Sequence, residues 1–116
     1  MNRRAAEQQG RSGERMAAWW LRLQGWRIVG ERVRTHRGEV DLIARRGRTL
    51  AFIEVKTRGD AAALALAIDE YRLRRVIDAA HALVARYGAG AENIRIDVML
   101  VRPWRVPVHL KNVWHG

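Results

Sequence analysis

Three carboxylates and one lysine lie close together in the segment 38–58, whose sequence is GEVDLIARRGRTLAFIEVKTR. Glu39 and Asp41 alternate with apolar residues on one predicted strand, and Glu54 and Lys56 alternate with apolar residues on the next. Because successive side chains of a strand point to opposite faces, each pair shares one face of its strand. If the two strands form a hairpin, the four side chains meet on one patch of sheet.

The pairing register of this hairpin is limited by the need to keep the apolar residues on common faces. One register places Asp41 opposite Glu54 and Glu39 opposite Lys56. A second register places Glu39 opposite Glu54 and Asp41 opposite Phe52. Both registers bring the carboxylates and the ammonium group together, whereas a shift by a single residue mixes charged and core positions.

A cluster of carboxylate oxygens has the chemistry of a site for a hard cation. The chain contains no cysteine, which excludes disulfides, thiolate zinc sites, iron–sulfur clusters and thiol nucleophiles. Oxygen ligands suit Mg²⁺ or Mn²⁺, and such an ion can polarise a phosphodiester and lower the pKa of its bound water. A neighbouring lysine can hold the attacking water and neutralise developing charge.

The alternative interpretation is a solvated strand face with an ordinary cross-strand ion pair between Glu39 and Lys56. Two observations favour a site. The acids lie between strongly apolar residues such as Ile43 and Phe52, which is typical of a central hairpin. Among the 22 basic residues only Lys56 and Lys111 are lysines, so a generic positive charge in this chain is an arginine.

The net charge of +10 and the isoelectric point near 11.5 indicate a polyanionic partner. Nucleic acid is the first candidate and an anionic membrane surface the second; we expect DNA rather than RNA, and no membrane partner. The residues that we expect to contact nucleic acid are Arg37, Arg58, Arg72, Arg74, Arg75 and His36, although a solvated face explains the helical arginines equally well.

The apolar pattern predicts an α/β domain with a mixed sheet and the element order α-β-β-β-α-β-β. Residues 1–11 are predicted to form a mobile basic N-terminal arm, and residues 12–116 a single domain whose first helix begins at Ser12. Asp69 is the predicted cap of the second helix, and the last strand is predicted near residues 106–113. The chain has no transmembrane segment and no secretory signal, so we expect a cytoplasmic protein.

The aromatic residues and histidines allow further predictions. Trp19, Trp20 and Trp26 are predicted to build the core. Trp104 and Trp114 are predicted to lie in the core or against a partner; the alternative is an exposed indole that stacks on an unpaired base. The four histidines are scattered and are expected in surface or capping roles.

The sequence resembles the metal-dependent nuclease superfamily with the restriction-endonuclease-like core, whose signature is an Asp followed on the next strand by Glu-x-Lys. Asp41 and Glu54-Val55-Lys56 match this signature. More closely, the chain resembles the small bacterial YraN family, which is similar to archaeal Holliday-junction resolvases. The matching segments are Gly10-x-x-Gly13-Glu14, Gly38-Glu39-Val40-Asp41-Leu42-Ile43-Ala44, Phe52-Ile53-Glu54-Val55-Lys56-Thr57-Arg58 and Ile96-Asp97-Val98.

This resemblance implies a metal site in which Asp41, Glu54 and the Val55 carbonyl are ligands and Lys56 positions the water. Glu14 matches an acid that resolvase-like members carry on the first helix, and its alternative role is to interact with the helix dipole. Arg72 stands where family members commonly have a lysine. By analogy with resolvases, which need two active sites, we expect a homodimer.

The leading functional hypothesis is therefore a metal-dependent endonuclease that acts on branched or structured DNA with Mg²⁺ or Mn²⁺. Its catalytic candidates are Asp41, Glu54, Lys56, Glu14 and Glu39. One alternative is a nucleic-acid-binding module that keeps the nuclease fold with little or no turnover. Another is a basic RNA- or ribosome-associated protein whose acidic patch is only structural.

Overall fold

A computed structural model describes residues 3–57 and 70–114 of the chain, with the side chains of residues 11–57 and 73–114. Within these residues the elements are α1 (Arg3–Leu23), β1 (Arg27–Thr35), β2 (Gly38–Arg46), β3 (Thr49–Thr57), α2 (Glu70–Tyr87), β4 (Asn93–Val101) and β5 (Val108–Leu110). The strands form one mixed sheet in the order β1-β2-β3-β4-β5. The predicted α/β class with a mixed sheet is confirmed.

The sheet separates two hydrophobic cores because its strands bury both faces. On one face, Phe52 and Val98 pack against Val76 and Ala80 of α2. On the other face, α1 packs against a second cluster that includes Ile53, Met99 and Trp26. Burying one such large apolar side chain stabilises the fold by about 1.5–3 kcal/mol. The two helices therefore cover opposite faces of the sheet, and the strands β2 and β3 lie between them.

The pairing of the strands follows from their connections. Short turns join β1 to β2 and β2 to β3, and both pairs are antiparallel. β3 and β4 are parallel from Thr49↔Asn93 to Thr57↔Val101. A parallel pair needs a crossover, which contains α2. β3 is thus a central strand, as its apolar sequence predicts.

Helix α1 differs from its prediction at both its start and its buried face. It begins at Arg3 and continues through Ser12, so the predicted start at Ser12 is wrong. The mobility of residues 1–11 stays a prediction. Trp19 is 53% exposed, so its predicted place in the core is wrong as well. The small side chains of Ala17 and Ala18 are buried instead, and they allow the helix to lie close to the sheet.

The last strand and the start of the second helix are the other two predicted boundaries. The last strand is limited to Val108–Leu110 and is shorter than predicted. The predicted cap Asp69 lies outside the described residues. Neither described helix is long and apolar enough to cross a membrane.

Candidate metal and nucleic-acid site

The candidate site forms where β2 and β3 stop pairing. The hairpin has the first of the two predicted registers, and its ladder runs from Arg46↔Thr49 to Leu42↔Ile53. One residue beyond the last pair, this register brings Asp41 opposite Glu54. The structure therefore selects one of the two alignments that the sequence left open, and the strands no longer pair beyond Leu42↔Ile53.

Asp41 lies between the strands rather than on one face of the sheet. Its neighbour Val40 belongs to the core under α2, whereas Leu42 belongs to the core under α1. The alternation of side chains is therefore interrupted at Asp41, and the regular alternation of charged and apolar residues that the sequence predicted for this strand does not hold there. The Val55 N–H donates a hydrogen bond to Asp41 Oδ2 at 2.8 Å, so this carboxylate replaces a backbone acceptor of the ladder.

This hydrogen bond also orients the carbonyl group of Val55. In an antiparallel ladder the N–H and C=O of one residue face the same neighbouring strand. Since the Val55 N–H faces Asp41, its carbonyl oxygen faces the same strand. The role of this carbonyl as a metal ligand stays a prediction.

The electrostatics of Asp41 differ from those of an ordinary surface acid. The pKa of Asp41 is raised to about 6, chiefly by burial and also by the charges of Glu14, Glu54 and Glu39. The hydrogen bond from Val55 acts in the opposite direction and only partly compensates. These acids therefore act on Asp41 together, and their charges disfavour the ionised form of its carboxyl group.

Lys56 is buried beside Glu54 at the end of β3. Its Nζ lies 2.9 Å from Glu54 Oε1, and only 5% of the lysine side chain is exposed. Glu54 and Lys56 share the face of Phe52, whereas Ile53 and Val55 belong to the opposite core, as strand alternation predicts. A buried ion pair is weak evidence for stability, because desolvation offsets much of the attraction. Its place beside Asp41 makes it a feature of the site.

Glu14 reaches the site from α1 and is paired with an arginine that the sequence did not single out. Arg32 Nε donates to Glu14 Oε2 at 2.6 Å. Arg32 also has a φ of 48°, a left-handed backbone conformation that is uncommon for a residue with a side chain. The charges of Glu39 and Asp41 act on this guanidinium too. No sequence signal identified Arg32, since the acids that act on it lie on two other elements, α1 and β2.

Helix α1 can place Glu14 here because Gly13 has no side chain. A Cβ at Gly13 would lie 2.2 Å from Cγ2 of Thr57, the residue that follows Lys56. Any larger residue would push the helix away from β3. Gly13 therefore brings Glu14 to the end of the sheet where Asp41 and Lys56 lie.

Glu39 lies at the margin of the site. Its Oε2 accepts a hydrogen bond from Arg34 Nε at 3.0 Å across the β1–β2 pair, and its side chain is 38% exposed. The alternative prediction of an ion pair between Glu39 and Lys56 is wrong, because Lys56 pairs with Glu54. The charge of Glu39 raises the pKa of Asp41, but the Glu39 carboxylate accepts its hydrogen bond from Arg34.

The donor set at this position fits a hard cation chemically. Two carboxylates, Asp41 and Glu54, and the Val55 carbonyl offer oxygen ligands, and the charges of neighbouring acids add to burial in raising the pKa of Asp41. Among the described residues, however, no three His, Cys, Asp or Glu side chains are close enough to hold an ion by themselves. A cation here would therefore depend on the backbone carbonyl and on water.

Several predicted nucleic-acid contacts lie next to this end of the sheet. His36 and Arg37 form the exposed β1–β2 turn, and the hydroxyl of Thr35 accepts hydrogen bonds from the N–H groups of Arg37 and Gly38. A Cβ at Gly38 would lie 2.4 Å from the Arg75 carbonyl oxygen, so the turn packs directly against α2.

Two of the three predicted arginines of α2 have described side chains. Arg74 and Arg75 are exposed, and the Arg74 guanidinium lies 5.7 Å from the Trp114 ring centroid. The structure thus brings Arg37 and Arg75 to one surface. Arg58 and the side chain of Arg72 lie outside the described residues.

A second buried acid, Asp97 on β4, has a different environment. Arg95 donates to it at 2.7 and 3.3 Å, His109 Nε2 lies 2.7 Å away, and the Asn112 N–H donates at 2.8 Å. Burial by itself raises the pKa of Asp97, but the hydrogen bonds from His109, Arg95 and Asn112 outweigh it and lower the pKa. The side chain of His109 is only 9% exposed, so its predicted surface role is wrong.

These features define an α/β protein with an acidic, lysine-containing site where two central strands separate. The chain belongs to the uncharacterised protein family UPF0102, whose model matches residues 13–101. This membership is consistent with the resemblance to the YraN family. The matched range contains Glu14, Asp41, Glu54 and Lys56.

Relatives in this family are similar over their full lengths. A UPF0102 protein of Rhizorhabdus wittichii is 82% identical over 117 residues, which cover 100% of this chain and 99% of that protein. A UPF0102 protein of Sphingopyxis alaskensis is 64% identical, and one of Erythrobacter litoralis is 53% identical, each over 114 residues.

Proposed function

We propose that this protein is a Mg²⁺- or Mn²⁺-dependent endonuclease that hydrolyses phosphodiesters in branched or otherwise structured DNA. The observation that carries the proposal is the buried Lys56–Glu54 pair beside Asp41, a carboxyl group whose pKa is raised by burial and by neighbouring acids. Perturbed acids of this kind cluster at functional sites. A purely structural ion pair gives no reason for a third acid beside it.

The position of each residue in the site indicates its role. Asp41, Glu54 and the Val55 carbonyl would hold the cation, whose chemistry is to polarise the phosphodiester and to lower the pKa of water. Lys56 donates a hydrogen bond to the attacking water and neutralises charge that develops on the phosphate. Glu54 fixes the position of the Lys56 ammonium group. Glu14 and Glu39 add negative charge at the margin, each held by an arginine.

The basic surface around the β1–β2 turn supports DNA as the substrate. Arg37, Arg74 and Arg75 are exposed beside the acidic site, and the net charge of the chain is +10. Arginine contacts with phosphates release counterions, so affinity should fall with salt. For about 4–6 contacted phosphates we expect a log–log slope of about −4 to −5 on duplex DNA.

A second candidate function is nucleic-acid binding with little or no turnover. It is favoured by the lack of three metal-binding side chains in close proximity among the described residues, and by the arginines that already pair with Glu14 and Glu39. In this case DNA affinity would persist without metal-dependent cleavage.

The test is incubation with linear, flap, single-stranded and four-way DNA in Mg²⁺, Mn²⁺ or EDTA. Lys56 is buried against Glu54, so replacing the lysine alone leaves an unpaired buried carboxylate. The double variant Glu54→Gln with Lys56→Met removes both charges together and should abolish cleavage while keeping DNA binding.

Lys111→Met is the matched control, because Lys111 is exposed and distant in sequence from the site. It should cleave like the parent. If the parent cleaves none of these substrates but binds them, the second candidate function replaces the first.

A further inference from the structure

A groove lined by tryptophans lies between α1 and the segment that links β4 to β5. We call it the tryptophan groove; its walls include Met16, Trp19, Trp20, Arg102, Trp104 and Arg105, and its volume is about 580 Å³. The rings of Trp19 and Trp20 are inclined at 48°, with centroids 6.5 Å apart. This volume lies within the range of small-molecule sites, about 300–1,000 Å³.

The indole of Trp104 is presented to solvent rather than packed. Its side chain is fully exposed, and its φ of 59° places the backbone in the left-handed region. Bulky residues rarely adopt this conformation, and such strain persists where the surrounding chain enforces it, often at binding sites. Trp19 on the opposite wall is 53% exposed. The groove thus offers aromatic surface to a ligand from two sides.

A polar observation independent of the aromatic residues points to a ligand with hydrogen-bond acceptors. Arg102 Nε is buried and has no hydrogen-bond partner, and it is the one buried side-chain nitrogen or oxygen in this condition among the described residues. A buried donor without an acceptor destabilises the protein by itself. Arg102 lines the groove and its guanidinium carries further N–H donors that an acceptor bound there can meet, and the exposed Arg105 adds a second cation beside it.

The groove adjoins the acidic site through two residues. Thr57 lines the groove and directly follows Lys56 on β3, and it pairs with Val101, which precedes Arg102 on β4. Gly13 lines the groove as well and directly precedes Glu14 on α1. One strand residue spans about 3.3 Å. Lys56 lies on the face of α2, whereas Thr57 contacts Gly13 on the face of α1, so the groove adjoins the site from the side of Glu14.

We propose that the tryptophan groove binds an unpaired nucleobase, stacked on Trp104, with Arg102 donating to a base oxygen or nitrogen and Arg105 facing a flanking phosphate. The proposal rests on the proposed function for the choice of nucleic acid as the polymer. An apolar protein segment carries no negative charge to match Arg102 and Arg105. A base has both the flat surface and the acceptors, and the groove therefore selects DNA with unpaired positions.

The test is binding in EDTA, where no cleavage occurs, to a short duplex with a bulged 2-aminopurine and to the same duplex with that base paired. The parent should prefer the bulged duplex and change the 2-aminopurine fluorescence. Trp104→Ala should weaken bulged-duplex binding about 5- to 100-fold, the range for loss of one stacked base, and abolish the fluorescence change. Paired-duplex affinity should stay within about 2-fold, because its phosphate contacts are unchanged.

The matched control is Leu23→Ala, which removes an exposed apolar side chain of α1 outside the groove and should leave both affinities unchanged. Arg102→Gln should reproduce the selective loss. Equal weakening of both duplexes by Trp104→Ala, or a change of oligomeric state with discrimination intact, overturns the groove proposal alone. Failure of the parent to bind either duplex overturns the proposed function as well.

Discussion

Asp41 and Asp97 are two acids of one sheet with opposite electrostatic environments. Asp97 is fully buried, and its hydrogen bonds from Arg95, His109 and Asn112 lower its pKa. Asp41 is partly buried and has one backbone donor and three acidic neighbours, and its pKa rises to about 6. Asp97 is thus compensated within the protein, whereas the charge of Asp41 is compensated only in part.

The difference shows how burial alone fails to identify a functional acid. Asp97 joins β4 to the chain around β5, and both Arg95 and His109 also lie against the ring of Trp26. Its hydrogen bonds therefore fix the packing of a sheet edge. Asp41 is destabilising as an anion unless a cation joins it, which is the expected condition of a metal ligand. Four experiments test this contrast.

The largest effect on stability is expected for Asp97→Ala. Removing this carboxylate leaves the Arg95 guanidinium and the His109 ring without their buried acceptor, which should lower the free energy of unfolding by about 3–5 kcal/mol. Urea denaturation measures the change. Glu92→Ala is the control, because Glu92 and Arg48 form an exposed pair whose loss should change stability by about 0–1 kcal/mol. Similar losses for both variants would show that Asp97 is not structural.

Asp41→Asn should have the opposite effect, with no loss of stability and a large loss of cleavage. The variant removes one charge from the acidic site, so in EDTA it should be at least as stable as the parent. In Mg²⁺ its cleavage should fall about 10²-fold or more, the scale for loss of a group that stabilises transition-state charge. The Mg²⁺-induced rise in melting temperature should also shrink. Scanning fluorimetry and a cleavage assay test both points, and a parent indifferent to Mg²⁺ and Mn²⁺ with DNA present would contradict the metal site.

The pH dependence of stability should separate the two acids. The raised pKa of Asp41 means that its contribution to folding is complete below its ordinary pKa of about 3.8 and is lost as pH rises through about 6. The lowered pKa of Asp97 has the opposite sign, with stability present above the ordinary value and lost in acid. In EDTA, the free energy of unfolding of the parent minus that of Asp41→Asn should fall between pH 4 and pH 6. A flat difference across this range would contradict the environment described for Asp41.

The smallest effect is expected for Arg32→Gln. The Arg32–Glu14 pair is partly exposed, so its loss should lower stability by about 0–1 kcal/mol. Because Arg32 is a cation near Asp41, its removal should strengthen Mg²⁺ binding a few-fold in calorimetry. Arg34→Gln is the control, since Arg34 pairs only with the marginal Glu39. Equal changes in Mg²⁺ affinity for both variants would indicate a general charge effect rather than a local one.

Much of the site was predictable because it is local in sequence. Strand alternation and the apolar neighbours limited the hairpin to two registers, of which the structure has the one with Asp41 opposite Glu54, and the rarity of lysine singled out Lys56. The β1–β2 turn at His36 and Arg37 was predictable for the same reason. These features depend on residues a few positions apart, and the period of a strand relates them directly.

The remaining features depend on contacts between distant segments. The hydrogen bond from Val55 to Asp41 exists because the ladder ends there, and alternation predicts no such end. The Arg32–Glu14 pair and the network around Asp97 join elements that are far apart in the chain. The first helix begins nine residues before its predicted cap. The sequence pattern also could not reveal that Gly13 of this helix packs on β3.

The sequence by itself determined the fold class, the family and the acids of the site, because composition and short-range periodicity carry that information. Only the tertiary structure decided which acid is compensated and which is not. The pKa of a carboxyl group depends on burial and on charges and donors within a few ångströms, and most of those groups come from other strands and helices. Asp41 and Asp97 are both single acids flanked by apolar residues in the sequence, and packing alone makes them different.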